Sequence, residues 1–234
     1  MGQRRLLVIG YYTLGSAYAD EAARLARSLD EVRMAHRIVG VPPVSSSWHD
    51  GVALKAGVVR AALCSVRVPV LYIDVDAHVH VDCTEYFESL CADHDFAAHW
   101  FHGPGAGGRE QGNAEYHMLS GTLWFNQTLA AHALLDAWMR LNTLLARCGD
   151  RKGRGQRNLA FVVQEPARYG ALPLRVKKLP GRYCYVYRRP ECYPPEERRA
   201  VVIEHLLASR ENRDESAGRV DADRRGRIAE LEGK

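Results

Sequence analysis

The chain has 234 residues, 47% hydrophobic and 26% charged, which suits one sizeable α/β domain with a full core. No apolar run approaches the length that crossing a bilayer requires, so the composition is that of a soluble globular protein and excludes a membrane-spanning one. The formal charge of +4 hides an asymmetry: residues 1–146 carry 11 Lys and Arg against 15 Asp and Glu, whereas residues 147–199 carry 14 against 5. A basic segment suits a polyanionic partner such as a diphosphate, a nucleic acid or an anionic membrane surface, and a solvated basic face is the plain alternative.

Arg4 and Arg5 precede an apolar stretch that runs only from Leu6 to Gly10. That is too short for a secretory signal, so a first strand is expected over residues 6–12. A turn at Gly15 leads to a helix over residues 17–29, with Ala22, Leu25, Ala26 and Leu29 at helical spacing. Residues 37–41 read as a second strand, stopped by Pro42-Pro43 and a Ser-rich loop. Val52, Leu54, Val58, Val59 and Ala62 then predict a helix over residues 51–66.

The clearest strand spans residues 69–74, where Val70, Leu71, Tyr72 and Ile73 form the continuous apolar run of a parallel strand covered on both faces. Strand and helix alternate through residue 76, which implies right-handed βαβ units. A short helix (84–91) and a strand (96–100) follow. Residues 101–115 are rich in glycine and read as a lid-like loop. Next come a strand (118–126), a long amphipathic helix (128–147), a shorter helix (156–164) and strands over 174–179, 182–187 and 201–207. The polar, charge-mixed tail is expected to be poorly ordered, giving one domain over 1–208 and a flexible tail over 209–234. The six cysteines show no C-x-x-C pair. They read as reduced small hydrophobes in a cytoplasmic protein, with disulfides as the alternative.

Asp74 and Asp76 fall where the strongest strand stops, and open α/β sheets bind ligands beyond the carboxyl ends of their strands. Two carboxylates one residue apart offer hard oxygen ligands to Mn²⁺ or Mg²⁺, whose other ligands are waters and phosphate oxygens. A pair of acids capping a turn is the alternative. His78 and His80 share one strand face just beyond, as an added ligand or as strand-edge residues.

The segment Val70-Leu71-Tyr72-Ile73-Asp74-Val75-Asp76 resembles the D-x-D strand of GT-A nucleotide-diphospho-sugar transferases. Ser120-Gly121-Thr122-Leu123-Trp124-Phe125-Asn126 and the late Ile203-Glu204-His205 extend the resemblance over most of residues 5–210. It implies a mixed, mainly parallel sheet flanked by helices, and sugar transfer from a nucleotide-diphosphate donor to an acceptor not identified by the sequence. It implies metal ligation by Asp74, Asp76 and His205, with the first acid touching the ribose or the metal. It further implies donor contacts from Tyr11, Tyr12, Thr13, Lys55, Asp74, Val75 and Asp76. Lys55 has the alternative of an exposed surface lysine, and His205 that of a hydrogen-bonded strand histidine.

Ser120, Gly121 and Thr122, with Gln156, match the family's sugar or acceptor pocket, where glycine permits close backbone approach. A β-bulge at residues 120–122 is the alternative. Gly155 stands where many relatives have an acid, so no carboxylate contact to the sugar is carried over there. His102, Glu115, His117 and Glu165 are the candidate general bases, none singled out by its context. Trp48 and His49, like Trp100 and His102, would either stack on a base or sugar or anchor packing. Lys177, Lys178, Arg182, Arg188 and Arg189 are candidate phosphate contacts. DNA, an anionic glycan or a lipid would suit the basic segment as acceptor.

Two competing functions are a nucleotidyltransferase and a non-catalytic nucleic-acid-binding protein using residues 147–199. The first is disfavoured because Tyr11-Tyr12-Thr13-Leu14-Gly15 lacks a glycine- and lysine-rich phosphate loop. The second shows no helix-turn-helix, zinc-finger or RNA-recognition motif.

Overall fold

A computed structural model describes residues 5–43, 48–101, 118–149, 155–207 and 222–233. Strand β1 (Leu7–Thr13), helix α1 (Tyr18–Glu31) and strand β2 (His36–Val41) form the first βαβ unit. Helices α2 (Trp48–Ala53) and α3 (Lys55–Ser65) return the chain to β3 (Val70–Ile73). β1 pairs in parallel with both β2 and β3.

The continuous apolar run of β3 has a direct structural cause. Val70 and Tyr72 pack on one side of the sheet, among Val59 and Leu63 of α3, while Leu71 and Ile73 pack on the other, among Leu25 and Leu29 of α1. All four β3 side chains are buried because both faces are covered. Each fully buried Leu or Ile contributes about 2 kcal/mol relative to exposure.

Strand β4 (Ala77–Val79) and helix α4 (Thr84–Ser89) lead to β5 (Phe96–Trp100), β6 (Met118–Phe125) and the long helix α5 (Leu129–Arg147). Thr128 caps α5 by accepting a hydrogen bond from the Ala131 amide, a contact worth about 1 kcal/mol. Helix α6 (Gln156–Gln164) is fastened to α5 where the Trp138 indole N–H donates to the Gly155 carbonyl at 3.2 Å. Strand β7 (Val176–Lys178) closes a six-stranded sheet of order β2-β1-β3-β6-β5-β7, in which β6 alone is antiparallel to its neighbours.

Strand β8 (Tyr185–Val186), helix α7 (Pro195–Arg199) and strand β9 (Ile203–His205) come last in the sheet-forming chain, and helix α8 (Ala222–Leu231) follows. Here the structure departs from the expected pattern. β8 and β9 join β4 in a second sheet of order β4-β9-β8. The expected strand over 182–187 begins instead as a 3-10 turn, Gly181–Tyr183. Gly181 lies so close to Tyr193 and Glu197 that a Cβ there would stand 2.3 Å from each.

The tail also differs from expectation, since α8 is an ordered helix within the span read as flexible. It docks through polar contacts that include the ion pairs of Arg224 with Glu21 and Arg227 with Glu204. A polar composition therefore conceals the docking. The rest of that tail up to residue 221, and residues 102–117, which hold most of the expected lid, lie outside the described residues. All six cysteines are unpaired. Among the described residues no helix is long and apolar enough to cross a membrane.

Candidate active site

β3 stops because the chain turns sharply after Ile73. The Asp74 amide still donates to the Gly121 carbonyl at 2.8 Å, extending the ladder to β6, and the Ala77 amide donates back to the Asp74 carbonyl at 3.1 Å. Both acids of the D-x-D step sit in this turn, between the main sheet and β4.

Asp74 is the centre of a charged network. Its Oδ1 accepts from the Tyr72 hydroxyl at 2.6 Å and pairs with Lys55 Nζ at 2.8 Å. Tyr72 and Asp74 are two residues apart in extended chain, so their side chains fall on one face. Lys55 is only 4% exposed, which disposes of a surface lysine. Its ammonium also donates to the Ser120 carbonyl at 2.9 Å and to Ser120 Oγ at 3.3 Å, and it lies 4.7 Å from the Tyr72 ring centroid. Burial first, and then the Asp74 charge, push the Tyr72 and Tyr11 phenols above their ordinary range, so both stay protonated donors. The Tyr11 hydroxyl donates to the Gly51 carbonyl at 2.9 Å, next to the same network.

Asp76 and His205 form the second half of the cluster. The Asp76 carboxylate is 4.0 Å from His205 Nδ1, an ion-pair distance. The Asp76 carbonyl accepts from the Leu206 amide at 2.8 Å, tying the turn to β9. His205 Nε2 lies 2.9 Å from the Thr122 hydroxyl. Burial works against the charged imidazole, but Cys184 and Asp76 outweigh it and raise the ring to about 10.

The ring rests directly on Gly121, where a Cβ would stand 2.7 Å from its Cε1. The close approach expected of this glycine is therefore made by His205. The register of β6 to β5 jumps here from Ala98↔Leu123 to His99↔Leu119, passing over residues 120–122, so the bulge reading of the segment holds. Gln156, the first residue of α6, accepts from the Ser120 amide at 3.1 Å and completes the arrangement.

Several expected residues fall elsewhere. Tyr12 lies on the opposite face of β1 from Tyr11 and packs with the α1-side core. Thr13, by contrast, shares the Tyr11 face of β1 with its Oγ1 beside Gly51, and its carbonyl accepts from Ser16 Oγ. Val75 is a core side chain. His80 faces Glu204 at 2.9 Å rather than Asp76, with the His78 ring 4.7 Å away, as strand residues of β4 and its exit. Trp100 is a buried packing residue with Lys178 5.8 Å from its ring centroid. Glu165 pairs with Arg168 at 2.8 Å near the end of α6. His102, Glu115 and His117 lie outside the described residues, while Trp48 and His49 open α2.

The sequence reading missed Tyr72 as a partner of Asp74, although the two-residue spacing on a strand signals it. It also missed the pairing of Glu204 with Arg227, which nothing local in the sequence announces.

No protein-family model matches the chain, and no curated protein sequence matches it. Solved structures match in fold. A glycosyltransferase involved in the glycosylation of the major capsid of PBCV-1 superposes with a TM-score of 0.63 at 12% identity, covering 91% of this chain and 98% of that one. The bifunctional glycosyltransferase WbbM gives 0.53 at 12% identity over 88% of this chain. The glycosyltransferase GlyE of Streptococcus pneumoniae TIGR4 gives 0.51 at 14% identity over 87% of this chain. This chain spans 46% of the WbbM chain and 54% of the GlyE chain. Its six-stranded, mainly parallel sheet, flanked by helices and broken by one antiparallel strand, is the GT-A fold of these glycosyltransferases.

Proposed function

We propose that the chain is a glycosyltransferase that takes its sugar from a nucleotide-diphosphate donor held partly through Mn²⁺ or Mg²⁺. The observation that carries this reading is the pairing of two clusters at the carboxyl end of β3: Lys55–Asp74–Tyr72 and, two residues on, Asp76–His205. The likeness in fold is to sugar transferases, which favours this reading over nucleotidyl transfer and over non-catalytic nucleic-acid binding.

The donor set fits such a cation. Among the described residues no three His, Cys, Asp and Glu side chains are already gathered as a metal site. Mg²⁺ and Mn²⁺ do not require three, because one or two protein ligands plus substrate phosphates and waters suffice. Asp76 and His205 would be those ligands, with the cation displacing the proton that the metal-free ring holds. Asp74 is committed to Lys55 and Tyr72 through Oδ1, and its side chain is 36% exposed. Its Oδ2 is therefore the oxygen offered to a ribose hydroxyl, and this divides the roles of the two acids.

A bound cation would neutralise the charge that develops on the departing nucleoside diphosphate. The remaining work falls to the chain itself. Lys55 fixes Asp74 and, through Ser120, holds the bulge against the site. Gln156 uses its amide oxygen on the Ser120 amide, which leaves its amide NH₂ to donate to a sugar hydroxyl. The low exposure of Lys55, Thr122 and His205 makes each of these interactions stronger than it would be in water.

The test is a thermal-shift screen of UDP-, GDP-, ADP- and dTDP-sugars with and without Mn²⁺ or Mg²⁺. A donor at a hundred times its Kd stabilises the fold by about 2.7 kcal/mol. For a chain of this size that is a rise of about 5–10 °C. The stabilisation should need the metal and disappear in Asp76→Asn. Silence from every donor with either metal would sink the proposal.

A further inference from the structure

Strand β9 is three residues long, and its two faces do different things. His205 looks toward Thr122, Gly121 and Asp76. Glu204 looks the other way and is 1% exposed. Arg227 of α8 grips its carboxylate with two bonds, Nε to Oε1 at 2.9 Å and a terminal nitrogen to Oε2 at 2.7 Å. His80 Nε2 lies 2.9 Å from the same Oε2. A buried carboxylate with a bidentate arginine is among the more rigid polar contacts in proteins.

The same helix also holds the residue after His205. Arg224, itself buried, donates from Nε to the Leu206 carbonyl at 3.0 Å and from a terminal nitrogen to Glu21 of α1 at 2.6 Å. The Leu206 amide is the group that bonds the Asp76 carbonyl. Leu207 then leaves the strand at φ 59°, a left-handed conformation. For a residue with a branched side chain this costs about 1–2 kcal/mol, and it persists where surrounding contacts fix it. The residues on both sides of His205 are thus fastened to α8, a ten-residue helix too short to be stable by itself.

From this geometry we infer that α8 is a positioning element for the proposed active site. Arg227 through Glu204, and Arg224 through the Leu206 carbonyl, fix the strand that presents the His205 ring to Thr122 and Asp76. The consequence for cation binding rests on the function proposed above, whereas the positioning of the ring does not.

The experiment uses the full chain and three variants. Arg227→Met keeps the stem and removes the charge, and Arg227→Lys keeps the charge without the fork. Arg27→Met breaks the more exposed Arg27–Glu232 pair just past the C-terminal end of the same helix and serves as the control. The first readout is the metal-free NMR signal of the His205 ring, assigned with His205→Gln. The second is Mn²⁺ affinity in the presence of UDP, read from the electron paramagnetic resonance of free Mn²⁺.

Arg227→Met should shift or broaden the His205 signals and weaken Mn²⁺ by about ten- to a hundredfold, as loss of a supporting contact behind a ligand does. Arg227→Lys should fall between it and the parent, and Arg27→Met should stay within about twofold of the parent. Unchanged His205 signals in folded Arg227→Met would overturn the inference, as would an equal disturbance in Arg27→Met. If Arg227→Met does not fold, Arg227→Lys decides, and unchanged His205 signals in it count against the inference. Should the parent bind no Mn²⁺ with any nucleotide, the proposed function falls, and the ring signals alone still judge the role of α8.

Discussion

Gly121→Ala is the sharpest perturbation of the cluster, because the added methyl has a known neighbour. A Cβ built there stands 2.7, 3.0 and 3.1 Å from His205 Cε1, Nδ1 and Nε2. Carbon atoms in contact prefer about 3.5–4.0 Å, so the ring must retreat by about 1 Å. It has little freedom to do so. Thr122 holds Nε2 at 2.9 Å, and the Asp76 carbonyl and Arg224 hold the following residue.

Overpacking of this kind typically costs about 1–3 kcal/mol, and the restraints on the ring place the expected loss near the upper end. Thermal unfolding should then show a fall in Tm of about 4–12 °C. A double-mutant cycle with His205→Ala identifies the cause. Removing the imidazole makes room for the methyl, so the double variant should be more stable than the summed single losses by about 1.5–2 kcal/mol. Strict additivity would refute the contact, and with it the placement of His205 on Gly121.

Lys55→Met leaves the Asp74 charge and the Ser120 carbonyl without their cation. Breaking a buried pair costs about 3–5 kcal/mol, but Asp74 is partly solvated, so a loss of about 2 kcal/mol is expected from urea unfolding, together with loss of nucleotide-dependent stabilisation. Tyr72→Phe keeps the ring and removes one hydrogen bond to a carboxylate; it should cost about 1.5 kcal/mol and weaken donor binding, as isothermal titration would report. Asp95 gives the pH prediction: hydrogen bonds from the Arg175 side chain hold its carboxyl below the usual 3.8. Its contribution is complete above that value and is lost as pH falls through the depressed one, so Asp95→Asn should be less stable at neutral pH and lack that part of the acid slope in urea midpoints from pH 2 to 7.

The main sheet was legible because its physics is local. β3 reads as a buried strand since both of its faces are covered, and α5 shows its apolar stripe because only one side is. Asp74 and Asp76 were legible for the same reason, as the point where that strand ends. Residues brought in by long-range packing were harder. Lys55 looks like any lysine at the start of a helix until Ser120 and Asp74 meet it. Tyr11 and Tyr12 cannot both face one site, since neighbouring strand residues point to opposite faces. β4 showed only as a strand face shared by His78 and His80, without bounds or a partner, because three residues carry too short a pattern. α8 was missed because an arginine that grips a buried carboxylate and one that faces water have the same composition.

The charge of residues 147–199 takes on a different meaning once its partners are known. As a sequence, the excess of basic residues is a single feature that invites a polyanion. In the fold, part of it is committed within the chain. Arg175 closes on Asp95, tying β7 to the start of β5, and Arg168 pairs with Glu165. Arg182 lies 5.1 Å from the Tyr183 ring centroid, and Arg188 approaches Asp223 of α8 at 3.8 Å. Exposed ion pairs of this sort add little stability, but each carboxylate offsets charge that a long-range field would need, which the neutral ring of Tyr183 does not. Lys177 and Lys178, in contrast, lie on β7 at the border of the main sheet. The basic charge left to meet a polyanion is therefore smaller than the residue count suggests, and Lys177 and Lys178 are part of it. If a polyanionic acceptor contacts β7, Lys177→Ala with Lys178→Ala should lower the salt slope of its binding by about two, and an unchanged slope would rule that contact out.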